Sequence, residues 1–316
     1  MKKIHVGVIG VGYLGQFHAE KFASNPEVEL VGIVDADSAR ASHLAGKLST
    51  QAFPDPAHLI GKVDAVSIVV PTVLHYRMAK RFLEQGIHVL LEKPITVTLE
   101  QADELIELAA RKGVILQVGH IERFNPAVTA IKSLLGTPRY ITAERAAPFT
   151  VRCTDVNVVL DLMIHDLDIV VDLAGSAPKE VSAAGVSAIT QEIDMATARI
   201  IFQNGCVADV TASRVSDEKK RLLRVFEDEA IYTSDYQTQK ATVSRKKSEP
   251  VPMLLVQDIS SDRCDTLAEE IRAFVRSVRN GVRPLVSGIE GRRALALAKT
   301  ITDTIEKGIT GFVPAP

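Results

Sequence analysis

Four groups of residues in this chain have types and spacing that suit chemistry. The first is Gly10-Val11-Gly12-Tyr13-Leu14-Gly15, a G-x-G-x-x-G pattern. Gly10 suits the tight turn out of a strand. Gly12 lets a pyrophosphate approach the backbone, and Gly15 allows a helix to sit against that strand. The second is Asp35, at the end of the next apolar run. An acid about 20 residues beyond the glycines is placed to accept hydrogen bonds from ribose hydroxyls, and its charge repels a 2′-phosphate. Together they predict a dinucleotide site that takes NAD in preference to NADP. The third is Leu91-Glu92-Lys93-Pro94, in which Lys93 can polarise a hydroxyl oxygen and relay a proton. Out of context such a lysine reads as a solvated surface residue. The fourth is Asp161-Leu-Met-Ile-His165-Asp166-Leu-Asp168. Positions i and i+4 share a helix face, so Asp161 and His165 can converge, with the imidazole as base and the carboxylate orienting it. The same spacing is equally that of a helix-surface pair or of a histidine satisfied in the core. Asp166 and Asp168 beside His165 supply no third strong ligand from elsewhere, and no metal is expected.

These residues need elements to hold them. Val6-Gly7-Val8-Ile9 reads as a strand buried on both faces, and Tyr13 to about Ser24 as the helix whose N-terminus faces the phosphates. Strands are further expected at Val28–Val34, Val63–Val70, Ile87–Leu91 and Val114–Val118. Helices are expected at Ser38–Lys47, Val73–Gln85 and Leu99–Lys112. Strictly alternating strands and helices predict a parallel, doubly wound sheet with its ligand at the carboxyl ends of the strands. Those ends carry Gly10–Gly15, Pro71–His75 and Glu92–Pro94.

The pattern changes after Gly119. Asn125–Leu135 and Asp161–Ala174 read as helices, and from Glu180 to Val256 the chain becomes a succession of strands. The clearest are Val181–Ile189, Met195–Phe202, Val207–Ser213, Arg221–Phe226 and Ala241–Ser244, with Asn204-Gly205 as a hairpin turn. Asp265–Asn280 and Gly288–Lys307 close the chain as helices. The expected fold class is therefore α/β. Residues 1–119 form a dinucleotide-binding Rossmann domain, and residues 120–316 a substrate-binding and oligomerisation α+β domain with a large, mostly antiparallel open sheet.

Length and composition agree with this. A chain of 316 residues with 46% apolar and 24% charged residues supports two cores. A net charge of −2 gives no case for nucleic acid or an anionic membrane as partner. No apolar run reaches membrane-spanning length, Met1-Lys2-Lys3 leads directly into the first strand, and Cys153, Cys206 and Cys264 form no C-x-x-C. A cytoplasmic protein with reduced thiols is the expectation.

The combination of Gly10, Gly12, Gly15, Asp35, Pro71-Thr72-Val-Leu-His75, Glu92-Lys93-Pro94 and Asp161-x-x-x-His165 resembles the Gfo/Idh/MocA family of NAD(P)-dependent sugar oxidoreductases. The resemblance spans the whole chain, with its motifs in the family's order. It implies catalytic roles for Lys93, Asp161 and His165. It also implies cofactor contacts from Tyr13, Leu14, Arg40, Pro71, Thr72, His75 and Glu92 as well as the glycines, Asp35 and Lys93. Its second domain implies a homodimer or homotetramer packed through the open sheet. One departure is Val156-Asn-Val-Val-Leu160, which stands where the family commonly has a glycine-rich approach.

Within the family, Gly119–Pro126 and Asp161–Asp168 look most like nucleotide-sugar 3-dehydrogenases. The implied reaction is NAD-dependent oxidation at C3 of UDP-N-acetylglucosamine, on the way to lipid A or a related glycan. Such a substrate calls for cations near its diphosphate, with Arg123, Arg145 and Arg152 as candidates and Asn125 beside them. The basic runs Lys219–Arg221 and Arg245–Lys247 read instead as solvated loops or strand ends. A free sugar, a polyol or another nucleotide sugar are alternative substrates, and a non-catalytic NAD-binding sensor is the alternative of another class.

Overall fold

Val6, Val8 and Ile9 are buried, and the Val/Ile-rich run around them forms β1 (Ile4–Ile9) in the middle of a six-stranded sheet. The other strands are β2 (Val28–Val34), β3 (Gln51–Phe53), β4 (Ala65–Ile68), β5 (His88–Glu92) and β6 (Leu116–Gly119). All pair in parallel, in the order β3-β2-β1-β4-β5-β6. The order reverses between β1 and β4, and in sheets of this kind ligands bind in the crevice at that point. The computed structural model describes residues 2–150, 156–247, 253–309 and 311–316 of the chain.

The helices joining these strands follow their local signals. The helix Leu99–Lys112 starts in a capping box of Thr98 and Gln101 and ends at Gly113, whose φ is +66°. The first unit also takes in a segment from far along the chain. It comprises Met1–Ile121 together with Asp265–Arg292. The helix Thr266–Asn280 places Leu267, Ile271, Phe274 and Val275 in one cluster with Val6, Ala19, Phe22 and Ile33. Beyond it, Val286 accepts a backbone hydrogen bond from Val118 at 3.0 Å and so covers part of the β6 edge. A single division after Gly119 does not include this return.

The second unit comprises Glu122–Cys264 and Arg293–Pro316. Its nine-stranded sheet contains β7 (Tyr140–Ala146), β8 (Pro178–Val186), β9 (Met195–Phe202), β10 (Val207–Ser213), β11 (Lys220–Phe226), β12 (Ala230–Asp235), β13 (Lys240–Lys247), β14 (Met253–Asp258) and β15 (Val313–Pro314). The order is β14-β13-β12-β11-β7-β10-β9-β8-β15, antiparallel except for β7 with β10. The turn at Asn204-Gly205 joins β9 to β10, with Gly205 at φ +86°. Helices Pro126–Leu134 and Ile164–Ala174 pack on one face, where Val128, Ile131, Ile164, Leu167 and Val170 meet Ile141, Val210 and Leu223.

The central strand β7 was not among the expected strands. Ile141, Ala143 and Arg145 point inward from it, and a charged residue in an inward position breaks the apolar alternation that marks a strand. The helix expected from Asp161 also begins earlier. Val159–Met163 forms a π turn that runs into the α-helix at Ile164. Asn157 caps it, its Oδ1 accepting from the N–H of Leu160 at 3.0 Å.

Candidate active site

In the first unit the candidate residues begin with the glycine turn after β1. Each glycine meets a distinct demand. Gly10 has φ +84°, and a Cβ there would lie 2.3 Å from the carbonyl oxygen of Val69. A Cβ on Gly15 would lie 1.9 Å from the carbonyl oxygen of Gly10. Gly12 is different, because a Cβ there would meet nothing within 4 Å. The first and last glycines are needed by the protein's own packing, whereas the middle one leaves open space beside the backbone. That is the arrangement a pyrophosphate requires, and the residues fit a dinucleotide. Tyr13 and Leu14 lie on the exposed side of this turn, with Tyr13 edge-on to Phe17 at 5.7 Å.

Asp35 lies at the end of β2 with its side chain largely covered. Its Oδ2 accepts from the N–H of Val11 at 2.7 Å, and its Oδ1 from the N–H of Asp37 and from Arg40 Nη2, both at 2.8 Å. Burial pushes this carboxyl up, but the hydrogen bonds from Arg40, Asp37 and Val11 outweigh it and hold it below the ordinary aspartate range. Asp35 thus fixes the glycine turn, and Arg40 is steadied beside it.

At the end of β4, Pro71 is exposed and Thr72 opens the helix Thr72–Glu84. His75 is fully buried on that helix. Its Nδ1 is 2.8 Å from the carbonyl oxygen of Pro94 and its Nε2 is 2.9 Å from that of Val70. Burial holds the ring below the ordinary histidine range, so a neutral imidazole donates one N–H between two strand ends. The ring of His75, expected beside the cofactor, is thus engaged by the Pro94 and Val70 carbonyls and buried.

Glu92 is similarly engaged within the protein. Its Oε1 is 3.1 Å from Nε2 of the buried His18, whose Nδ1 is 2.9 Å from Ser67 Oγ. Its Oε2 accepts from the N–H of Lys93 at 3.2 Å. Lys93 follows at the strand end, half-buried and joined to Pro94 by a cis peptide bond. Glu270, on the helix Thr266–Asn280, adds a second carboxyl to this interior. Neither of its oxygens has a hydrogen-bond partner among the described residues. Burial and the charge of Glu92 push its pKa well above the ordinary range, so it is held as the neutral acid. A histidine on the apolar face of the first helix was the one sequence signal for this network, while Glu270 gave none.

The other candidate residues belong to the second unit. Asp161 lies within the π turn and His165 on the first turn of the following α-helix. Both are half-buried among Met163, Ile164 and Asp166, which are buried. π turns occur often at functional sites because they re-aim side chains within a helix. The segment leading in is held by Arg214, whose Nη2 donates to the carbonyl of Val156 and to that of Ile193 at 3.2 Å.

The arginines expected to hold the substrate are placed otherwise. Arg123 is buried, with Nε 2.8 Å from Asp168 Oδ2 and Nη1 paired with Asp172. Arg145 is buried between Asp166, at 2.7 Å and 3.1 Å, and Glu122, at 3.2 Å. Both expected substrate ligands are thus engaged in internal ion pairs, and unpaired burial of a guanidinium would be far too costly. Asn125 caps the helix Pro126–Leu134 and donates to Glu122 and to the carbonyl of Tyr236, both at 3.1 Å, so it too is absorbed by the fold. Arg152 lies outside the described residues. Among the described residues no cluster of acidic, histidine or cysteine side chains could hold a metal ion.

Comparison with known proteins settles the lineage. Residues 4–120 match the model of the oxidoreductase family with an NAD-binding Rossmann fold, and residues 129–233 match that of the Gfo/Idh/MocA C-terminal domain. The chain belongs to the Gfo/Idh/MocA family. It is 40% identical to UDP-N-acetylglucosamine 3-dehydrogenase from Acidithiobacillus ferrooxidans, over 97% of this chain and 98% of that one. The solved structure of that enzyme superposes with a TM-score of 0.91 at 38% identity, covering 97% of this chain and 99% of its own. The scyllo-inositol 2-dehydrogenase (NAD(+)) of Bacillus subtilis is 28% identical over 97% of this chain and 95% of its own. The family's model is an NAD-binding one, in agreement with the glycine turn and Asp35. No helix among the described residues is long and apolar enough to cross a membrane.

Proposed function

We propose that this protein is an NAD-dependent dehydrogenase that oxidises a secondary hydroxyl of a sugar, C3 of UDP-N-acetylglucosamine. The observation that carries this reading is likeness along nearly the whole chain to an enzyme of that name, with 40% identity over 310 residues. Lys93, Asp161 and His165 stand on the elements that such chemistry needs, a strand end and a helix turn.

Gly10, Gly12, Gly15 and Asp35 would hold NAD, with Tyr13, Leu14, Arg40, Pro71 and Thr72 around them. When bound, NAD supplies the acceptor for the hydride. His165 takes the proton of the hydroxyl, Lys93 polarises its oxygen, and Asp161 orients the imidazole. His18, Glu92 and His75 hold the strand ends from which Lys93 projects.

A second copy of the chain is part of this reading. The nine-stranded sheet ends in β14, on which Met253, Leu254, Leu255 and Val256 are all exposed. An apolar edge strand of this kind invites a partner, and a homodimer or homotetramer covers it. The reading implies a cytoplasmic enzyme that supplies a keto sugar for lipid A or a related glycan.

The test is NADH absorbance after mixing protein and NAD with UDP-sugars, free sugars and inositols. An aminotransferase with its amino donor, added in parallel, removes the ketone. A signal with UDP-N-acetylglucosamine, strengthened by the aminotransferase, is the expected result. A signal with an inositol or a free sugar alone would keep the hydride chemistry and overturn the substrate.

A further inference from the structure

The sequence places Arg221 in a basic run that reads as solvated loops or strand ends, and the run does open a strand, with Lys219 and Lys220 exposed and Arg221 only partly so. Arg221 lies near the start of β11, directly across from Arg145 on β7. Its side chain is 36% exposed, and its Nη1 is 3.4 Å from Glu122 Oε1. That oxygen is already engaged by both terminal nitrogens of Arg145 at 3.2 Å. A guanidinium has five N–H donors, and among the described residues this contact is the one side-chain hydrogen bond that Arg221 makes.

The electrostatics of the cluster point the same way. Asp166 and Glu122 are drawn towards the fully buried Arg145. Arg221 is left as a second cation beside the first, with a weak share of one carboxylate. Burial and the nearby charge of Arg145 both press against its own charge, and Glu122 and Asp166 only partly offset them. An added anion would give Arg221 a close partner of its own. Arg123 and Arg145, by contrast, are held between carboxylates in pairs of charge-assisted bonds. The cluster also adjoins the helix turn of His165. Asp166, the next residue, is held by Arg145, and Arg221 lies close enough to act on its charge.

We propose that Arg221 is a substrate-binding residue that takes an anionic group, a phosphate or diphosphate, through its outward N–H donors. The inference rests on the nucleotide-sugar reading given above. It assigns to a strand residue the task that the sequence assigned to Arg123 and Arg145.

The experiment is titration of the full-length protein with UDP, beside steady-state kinetics with UDP-N-acetylglucosamine. Wild type is compared with Arg221→Met and Arg221→Lys. The methionine keeps the length and apolar stem of the side chain. It is expected to weaken UDP binding and raise KM by about tenfold or more, the scale of a lost charged hydrogen bond, while NAD affinity is unchanged. The lysine is expected to restore part of the loss, because it keeps the charge without the planar fork. If Arg221→Met melts early, Arg221→Gln retains a donor for Glu122 and takes its place. Unchanged UDP affinity and KM in a folded variant would overturn the role of Arg221 and leave the substrate reading standing. Failure of the wild type to bind UDP, with turnover of a neutral sugar, would overturn both.

Discussion

Asp35 and Val11 are joined by a hydrogen bond of 2.7 Å, from the N–H in the glycine turn to the carboxylate at the end of β2. One side chain therefore shapes the glycine turn and, on the reading proposed above, also offers acceptors to a ribose. Asp35→Ala removes both, and Asp35→Asn keeps an acceptor for Val11 without the charge. We expect the alanine to weaken NAD binding by about tenfold to a hundredfold, in line with loss of charged hydrogen bonds. The asparagine should mainly relax discrimination against NADP. Titration of both variants with both dinucleotides separates the two roles, and an asparagine variant that binds both dinucleotides as the wild type does would show that Asp35 acts only as an anchor.

The glycines give a sharper contrast. Gly15→Ala drives a Cβ into the carbonyl oxygen of Gly10, and overpacking of this kind costs roughly 1–3 kcal/mol. Gly12→Ala meets nothing in the protein, so its melting temperature should hold or rise while NAD affinity falls by about tenfold or more. Thermal melts and NAD titration of the two variants should give opposite orders. A Gly12→Ala protein that binds NAD normally would remove the pyrophosphate from this turn.

His165→Asn should lower turnover by about two orders of magnitude or more, the scale of general acid–base catalysis, with NAD binding retained. Rapid-quench or steady-state assays with the substrate that gives the NADH signal are the measure. Undiminished turnover would take the base away from His165.

Glu270 makes stability depend on pH. Its folded pKa is raised by burial and by Glu92, so the folded protein prefers the protonated acid. That contribution is fully present below the ordinary glutamate pKa and is lost as pH rises towards the folded value, at up to about 1.4 kcal/mol per pH unit. Glu270→Gln mimics the neutral acid and carries no such dependence. Melting curves should nearly coincide near pH 4 and separate at pH 8 with the variant more stable. A variant less stable at pH 8 would mean that Glu270 is held ionised.

Arg123 predicts the reverse of Arg221. Removing one partner from a buried ion pair leaves uncompensated charge, so Arg123→Met should destabilise the fold by about 3–5 kcal/mol through Asp168 and Asp172. Denaturant melts measure this. A stable Arg123→Met protein with a raised KM would return Arg123 to the substrate.

Much of the fold was legible because its signals are local. The Val/Ile runs, the capping Thr98, the Asn204-Gly205 turn and the glycine motif each act within a few residues. The turn at Gly10–Gly15 was legible because its motif acts within a few residues. The site was not legible where a residue's role depends on its neighbours across the sheet. Arg123, Arg145 and Arg221 are the same residue type, and only the strand pairing and the carboxylates around them decide which are neutralised. The burial of His75 was hidden for a similar reason, since nothing local shows that the Pro94 and Val70 carbonyls enclose it. β7 was missed because its inward Arg145 is paid for by Asp166 and Glu122, both distant in sequence.

The return of Asp265–Arg292 to the first unit sets an order of assembly during synthesis. A ribosome makes the chain from the N-terminus, so β1 to β6 emerge long before the helix that brings Phe274 to within 6.5 Å of Phe22. The whole of residues 122–264 is translated in the interval. The nascent dinucleotide unit must wait with the apolar side of its first helix uncovered until more than four-fifths of the message has been read, the helix beginning at Thr266 of 316 residues. A stop codon before that helix would therefore remove part of the cofactor unit's core, although the lesion lies far downstream of every glycine in the turn.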